Sequence, residues 1–205
     1  KQSSVFANQG CEYTRTTGIW QTVWMEPVNK TYLRRPRVTP DVTRGLFRLE
    51  LPITGVRPGL TLRVRLKDDR GVVSAVSYSL GLDFSTFVEM PIPADRQRLW
   101  QPGAPYLYDF EFEIVDVEGA VVDAARSYAG LRSVSLDGKK VLINGAPVFQ
   151  RLVLDQGYYP DGILTAPSDA ALKEDIELSL QAGFNGARLH QKIFEERFLY
   201  HADRL

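Results

Sequence analysis

Apolar and polar residues alternate through the middle of the chain, and this alternation predicts a series of β-strands. From residue 106 to 114 nearly every second position is Tyr, Phe or Ile, and the positions between are mostly acidic. Residues 60–67 alternate in the same way, with basic residues at most outward positions. A period of two residues is that of a strand with one buried face. Further strands are predicted at 46–51, 72–80, 84–90 and 120–128. About six strands with turn signals between them predict an immunoglobulin-like β-sandwich within residues 40–131.

Beyond residue 132 the pattern changes to that of a strand, a helix and a second strand. A short apolar run occupies 149–154, and a second short strand, which ends in polar residues, is predicted at 184–190. Between them, apolar residues recur at helical spacing: Leu172, Ile176 and Leu180. Ser168 is placed to cap this helix and Gly183 to end it. We therefore predict a βαβ unit with a right-handed crossover.

The first forty residues give weaker signals. Thr16–Val28 is interpreted as one strand with apolar residues on both faces, which is typical of the centre of a sandwich. For Trp20 and Trp24 we favour packing against a neighbouring sheet over a platform for stacking sugars. Pro27, Pro36 and Pro40 then indicate a linker between domains.

Two dipeptides predict tight turns after the sandwich. Asp137-Gly138 is expected at the centre of a type I′ hairpin turn, and Asn144-Gly145 at the centre of a second one. The outward charges of the sandwich, basic on one strand and acidic on another, are expected to form solvated cross-strand ion pairs rather than a binding surface.

Composition excludes several classes of partner. Lys+Arg and Asp+Glu balance at 25 each, so no net charge attracts the chain to nucleic acid or to an anionic membrane. No apolar run approaches the length that spans a bilayer, and the first residues lack the hydrophobic core of a signal peptide. Cys11 is the only cysteine, so no disulfide forms within the chain. Because the chain opens on Lys1 without a domain start, we expect an interior fragment of a longer protein, and its compartment stays open.

Candidate chemistry lies at the ends of the two predicted parallel strands. Asp155 follows the first, and Arg188 and His190 end the second; alternate residues of a strand point to one side, so the latter two are expected to face one site. An arginine there binds a carboxylate or a hydroxyl, and an imidazole donates a hydrogen bond. The alternative is a structural role for the arginine. The acidic residues Glu174, Asp175 and Glu177 are interpreted as a solvated helix surface.

The sequence offers no other catalytic pattern. One Cys and two His do not form a zinc ligand set, and no metal or cofactor is expected. Gly-x-Ser-x-Gly and glycine-rich phosphate loops are absent.

Several segments nevertheless resemble, in order, those of glycoside hydrolase family 2, which includes β-galactosidases, β-mannosidases and β-glucuronidases. Thr17–Glu26 resembles the closing strand of the family's N-terminal jelly roll, and Trp100–Tyr108 resembles a stretch of its immunoglobulin-like domain. Leu142–Val148 resembles the lead-in to the first strand of its catalytic barrel. Asn185–Lys192 and Arg197–Leu205 resemble the second barrel strand and helix.

This resemblance implies a division of the chain into three segments. Residues 1–28 would end a sugar-binding jelly roll, 29–131 would form the immunoglobulin-like sandwich, and 132–205 would start a truncated (β/α)₈ barrel. The expected fold class is therefore mainly β, followed by the first βαβα of a barrel. Exposed barrel residues would favour a homo-oligomer.

The resemblance also implies a retaining exo-glycosidase that acts on terminal β-linked sugars. Its catalytic glutamates, one in an Asn-Glu pair after the fourth barrel strand and one after the seventh, are not in this sequence, so the chain alone is expected to be inactive. Arg188 matches the family's barrel arginine; His190 lies one residue before the histidine of some members. We assign both to substrate binding. The alternatives are a free-standing carbohydrate-binding module, suggested by Trp20 and Trp24, and a purely structural interaction domain.

Overall fold

The computed structural model describes residues 2–7, 9–10 and 12–205. The chain divides into two compact units, one made of Glu26–Phe149 and the other of Lys1–Met25 together with Gln150–Leu205. Cys11 lies outside the described residues. Over the described parts, no helix has both the length and the apolar character needed to cross a membrane.

The unit of Glu26–Phe149 is built mainly from two antiparallel sheets. In the first sheet, β3 pairs with β6 along one edge and with β1 and then β2 along the other. The second sheet has the order β5-β4-β7-β8. The strands are β1 (Tyr32–Leu33), β2 (Arg37–Asp41), β3 (Leu46–Thr54), β4 (Thr61–Asp68), β5 (Gly71–Ser79), β6 (Ser85–Pro91), β7 (Tyr108–Val115) and β8 (Val121–Ala129). The strands predicted from alternation are all present in this sandwich, with ends shifted by at most three residues.

Alternating residues of the two sheets form one core. Phe47 of β3 meets Phe110 of β7 edge to face, with ring centroids 5.3 Å apart. The fully buried members of this core include Phe47, Leu49, Leu51, Ile53, Leu62, Leu66, Met90, Tyr108, Phe110, Phe112 and Ile114. Burying one such side chain stabilises the fold by roughly 1.5–3 kcal/mol.

The connection from β6 to β7 is anchored by Tyr108. Its hydroxyl donates to the carbonyl oxygen of Arg96 at 2.7 Å and accepts from the amide of Arg98 at 2.7 Å. Arg96 ends a short 3-10 helix, Ala94–Arg96, and forms an ion pair with Asp68, whose side chain is 1% exposed. The arginine holds the pKa of Asp68 below its usual range. These contacts join the β4–β5 turn to the segment that enters β7.

The outer face of the second sheet carries the expected cross-strand ion pairs. Arg65 of β4 donates to Glu113 of β7 at 2.7 Å and to Glu111 at 3.3 Å, and Lys67 donates to Glu111 at 3.0 Å. The Lys67 ammonium, followed by the Coulombic effect of Arg65, lowers the pKa of Glu111. These side chains are between 23% and 40% exposed, so each pair contributes little to stability.

A small hairpin sheet follows, formed by β9 (Val134–Asp137), β10 (Lys140–Ile143) and β11 (Ala146–Pro147). Asn144 and Gly145 both have positive φ, as the predicted type I′ turn requires. The prediction for the first turn is wrong by one residue, because Asp137 pairs with Lys140 and the loop is Gly138-Lys139. Only Gly138 has positive φ there, which matches a type II′ turn with glycine first.

Two predictions for the first forty residues are wrong. Residues 16–28 form no strand, because no backbone hydrogen-bond ladder pairs them with another described segment. Ile19 and Met25 are accordingly 82% and 97% exposed. The predicted linker around Pro36 and Pro40 instead contains β1 and β2. The edge position of β2 explains why it tolerates Pro40, whose missing N–H costs no ladder bond on the open side.

The unit that contains Gln150–Leu205 has the predicted strand, helix, strand order. Its elements are β12 (Leu152–Asp155), α1 (Asp169–Gln181), β13 (Gly186–Leu189) and α2 (Glu196–Arg204). β12 and β13 are parallel. Ser168 caps α1 by accepting from the amide of Ala171 at 3.1 Å, and Gly183 has φ +88° just beyond the helix. Both helix-boundary predictions are therefore confirmed.

Candidate functional site

The polar residues predicted for the site lie where β12 and β13 end together. Leu154 is opposite Arg188 and Asp155 is opposite Leu189 in the parallel register. The amide of His190 continues the ladder by donating to the carbonyl oxygen of Asp155 at 2.8 Å. The backbone thus brings Asp155 and His190 side by side at the carboxyl edge of this two-stranded sheet.

The two faces of this sheet differ. Leu189 packs on the cluster of Leu172, Phe194 and Phe198, so its face is the one that the helices cover. Leu152 and Leu154 are 38% and 50% exposed, and Arg188, which pairs with Leu154, is exposed as well. By strand alternation Arg188 and His190 belong to the open face, and Asp155 to the helix-covered face. A shared site for Arg188 and His190 therefore stays a prediction, and the register places Asp155 on the other face of the sheet.

Asp155 is held by its own loop. One carboxylate oxygen accepts from the amide of Gly157 at 2.8 Å. Burial raises the pKa of Asp155, and the hydrogen bond from Gly157 lowers it. The nearby carboxylate of Asp175 raises this pKa further, and the ammonium of Lys192 lowers it. A half-buried carboxyl with a raised pKa suits proton exchange better than a fully solvated one does.

An open cavity of about 460 Å³ adjoins the end of β12. Its lining combines Glu12 and Tyr13 with residues 154–158, and Tyr13 stacks on Tyr158 with ring centroids 5.0 Å apart. Gln156 Oε1 is buried here, and no described residue forms a hydrogen bond with it. His190, which is not among the lining residues, also has a buried nitrogen, Nδ1, that forms no hydrogen bond with any described residue. A buried oxygen acceptor and a buried imidazole nitrogen that lack hydrogen-bond partners among the described residues are suited to bind hydroxyl groups of a ligand.

Lys192 binds the loop that lines this cavity. Its Nζ donates to the carbonyl oxygens of Gly157 and Leu164 at 2.9 Å and 2.8 Å. Burial lowers the pKa of Lys192, and the carboxylates of Glu195, Asp155 and Asp175 oppose that change. Sequence reasoning missed Gln156 and Lys192. The sequence signal for them was a position in the segment that follows a predicted strand with a polar end.

The acidic helix residues differ from the predicted solvated surface at one position. Asp175 is partly buried and accepts from the Tyr159 hydroxyl at 2.6 Å. Burial, together with this bond, strongly raises the pKa of Tyr159. Glu174 is exposed, and Glu177 pairs with Lys173 at 2.8 Å, as a helix surface residue does. Among the described residues, no three His, Cys, Asp or Glu side chains come together as metal ligands.

Comparison with known proteins identifies the family. The model of "Glycosyl hydrolases family 2" matches residues 31–132, which include all the sandwich strands. The chain belongs to glycosyl hydrolase family 2. Among curated family 2 relatives, the β-galactosidase large subunit of Latilactobacillus sakei is 26% identical over 159 residues, which are 76% of this chain and 24% of that protein.

Two further proteins, a curated relative and a solved structure, are similar to this chain. The β-glucuronidase of Paenibacillus borealis is 25% identical over 65% of this chain and 21% of its own length. The solved β-glucuronidase of Bifidobacterium dentium superposes on 86% of this chain and 30% of that chain, with a TM-score of 0.73 and 22% identity. That likeness shows a shared fold. The chain spans 24% of the length of the first of these curated relatives and 21% of the second.

Proposed function

We propose that this family 2 chain is part of a retaining exo-glycosidase that hydrolyses terminal β-linked sugars. The observation that carries the proposal is the family match at 31–132, extended by the β-galactosidase relative over 76% of the chain. The sugar is left open, because the similar proteins include both β-galactosidases and β-glucuronidases.

The sandwich fits the domain-positioning role proposed for residues 29–131. We assign it to the immunoglobulin-like class, supported by the Tyr108 hydroxyl that binds the backbone of Arg96 and Arg98 at the entry to β7. A tyrosine with this bond at the corresponding corner is a hallmark of immunoglobulin-like sandwiches. Residues 1–28 are proposed as the end of the jelly-roll domain on the resemblance alone.

Residues 132–205 are proposed as the start of the catalytic barrel. The order β12, α1, β13, α2 with parallel strands is the repeat from which (β/α)₈ barrels are built. In such barrels the face turned away from the helices lines the interior, and active sites lie at the carboxyl ends of the strands. The open face with Leu152, Leu154 and Arg188 corresponds to that interior. In the isolated chain this face would favour self-association, which size-exclusion chromatography with light scattering would detect.

Arg188 and His190 are proposed to bind the substrate. The guanidinium is suited to hold a carboxylate or a sugar hydroxyl. Nδ1 of His190, which bonds to no described residue, is suited to a second hydroxyl. Both would lie on the same side of β13 at its carboxyl end.

Catalysis itself is proposed to depend on residues outside this chain. Retaining hydrolysis needs two carboxyl groups about 5 Å apart across the scissile bond. Carboxylates of this chain are committed elsewhere: Glu111 and Glu113 to Arg65, Asp175 to Tyr159, and Asp169 to Arg197. The purified chain is therefore expected to be inactive.

The test compares the chain with the whole protein on aryl β-galactoside, β-glucuronide and β-mannoside. We expect turnover by the whole protein alone, and a loss of about a hundredfold or more in kcat/KM for Arg188→Ala, the scale for removing an electrostatic group from a site. Arg63→Ala, on the outer face of the sandwich, is the control. An inactive whole protein would refute the glycosidase assignment, and an unaffected Arg188→Ala would remove this residue from the site.

A further inference from the structure

Lys192 connects the two loops that follow the parallel strands. It lies in the segment after β13, two residues beyond His190, yet its ammonium bonds to both ends of the loop between β12 and α1, at the carbonyls of Gly157 and Leu164. Carbonyls that receive a charged donor are held more strongly than those that receive a neutral one. One side chain thus closes the loop at its start and near its end.

Aromatic rings surround the same ammonium. Nζ lies 4.9 Å from the ring centroid of Phe194, 5.6 Å from that of Trp20 and 5.9 Å from that of Tyr159. Ring faces at this range attract a cation, and more so when water is excluded. Trp20 is held independently, because its carbonyl oxygen accepts from Thr165 Oγ1 at 3.0 Å. The next residue, Gln21, donates to the carbonyl of Ile193 at 2.9 Å.

The backbone around these contacts is strained. Ile163 has φ +57° and Gln191 has φ +54°, a region that residues with a Cβ rarely adopt. Ile163 precedes the carbonyl of Leu164 that Lys192 binds, and Gln191 precedes Lys192 itself. Strained residues of this kind persist only where the surrounding contacts hold them.

Gly157 allows the ammonium to reach the loop. A Cβ at this position would lie 2.6 Å from Lys192 Nζ and 3.0 Å from Phe194 Cζ, and φ is +59°. Any other residue would displace the lysine or the loop. Gly157 also lines the cavity beside Gln156 and Tyr158.

We propose that Lys192 is a positioning residue for the cavity at the end of β12, holding the β12–α1 loop so that Gln156 and Tyr158 keep their places in its wall. That this cavity takes part of a sugar rests on the proposed function. The holding of the loop does not, so it is tested without any ligand.

The experiment measures amide hydrogen exchange by NMR in the 205-residue chain and in Lys192→Met and Lys192→Arg. The informative amides are Gly157, bonded to Asp155, and Tyr159 and Ile163, bonded to each other's carbonyls. Lys192→Met should lower their protection by about tenfold or more, the scale of lost hydrogen bonds to a charged group. It should also shift the Trp20 indole resonance. Lys192→Arg should restore part of both, because the cation and its donors remain.

Lys173→Met is the matched control, because Lys173 is an exposed lysine paired within its own helix to Glu177. It should leave the three amides and the indole unchanged. Unchanged protection in Lys192→Met, or an arginine variant no different from the methionine variant, would overturn the proposal. Equal loss of protection across α1 would also overturn it, since Lys192 would then support the whole unit rather than the loop.

Discussion

The sandwich and the parallel strand pair differ in how completely they bury their apolar residues. In the sandwich the inward faces of two sheets cover each other, and Phe47, Leu62 and Phe110 are fully buried. In the parallel pair the helices cover one face, while Leu152 and Leu154 on the other remain 38% and 50% exposed. Parallel sheets are normally covered on both faces. The sandwich therefore has a closed core of its own, whereas the parallel pair is packed on one face only.

The largest expected effect on stability comes from a substitution in the closed core. Phe110→Ala should lower the free energy of unfolding of the sandwich by about 3–5 kcal/mol, because it removes a fully buried ring between two sheets. Urea denaturation followed by circular dichroism measures it. Phe87→Ala is the matched control, since Phe87 is 71% exposed on β6, and its effect should be near zero. Equal effects would contradict the assigned core.

A smaller effect tests the anchor of β7. Tyr108→Phe keeps the buried ring but leaves the Arg96 carbonyl and the Arg98 amide without their partner. The expected loss is about 1–3 kcal/mol in the same measurement, the cost of a buried group left unsatisfied. Tyr78→Phe, at a half-exposed tyrosine of β5, is the control. No loss in Tyr108→Phe would show that the hydroxyl does not support this corner.

The smallest effect concerns pH and the helices of the other unit. Arg197 binds Asp169 through both carboxylate oxygens, and His201 lies 3.2 Å away; the arginine bond, with the histidine's help, lowers the pKa of Asp169 to about 2. A lowered folded-state pKa gives stability above the ordinary value of 3.8, which is lost as pH falls through about 2.

The test compares wild type with Asp169→Asn in acid titrations of α1 and α2 amide signals. The wild type should lose more stability than the variant between pH 4 and pH 2, about the range that separates the two pKa values. Because the pair is exposed, the difference is expected to be small. Parallel acid profiles would show that the pair does not contribute.

Strand alternation made the sandwich predictable, because side-chain direction is set locally. The residues from 106 to 114 specify which side chains enter the core without reference to the rest of the chain. The prediction of a linker in the proline-containing segment was wrong, because a proline in a linker and a proline in an edge strand look alike in sequence. Pro40 is acceptable in β2 only because that strand has one neighbour.

The site was less predictable, because its contacts join residues far apart in sequence. Arg188 and His190 were proposed as site residues from their place at a strand end, and that assignment stays a prediction. Gln21 and Ile193, which help hold the loops, are 172 positions apart, and no local pattern joins them. The same applies to Lys192, whose partners at Gly157 and Leu164 precede it by 35 and 28 positions. The prediction of a strand over 16–28 was wrong for a related reason. A strand forms only beside other strands, and its own sequence does not show whether they are present.

Native-state hydrogen exchange across the whole chain tests the difference between the two regions most directly. We expect the core amides of β3, β4 and β7 to exchange only through unfolding of the sandwich, and those of β12 and β13 to exchange at least about a hundredfold faster through local opening. Exposure of one face of the parallel pair is the physical cause. Equal protection of both regions would contradict the account, because it would show that the parallel strands are held as firmly as a closed core.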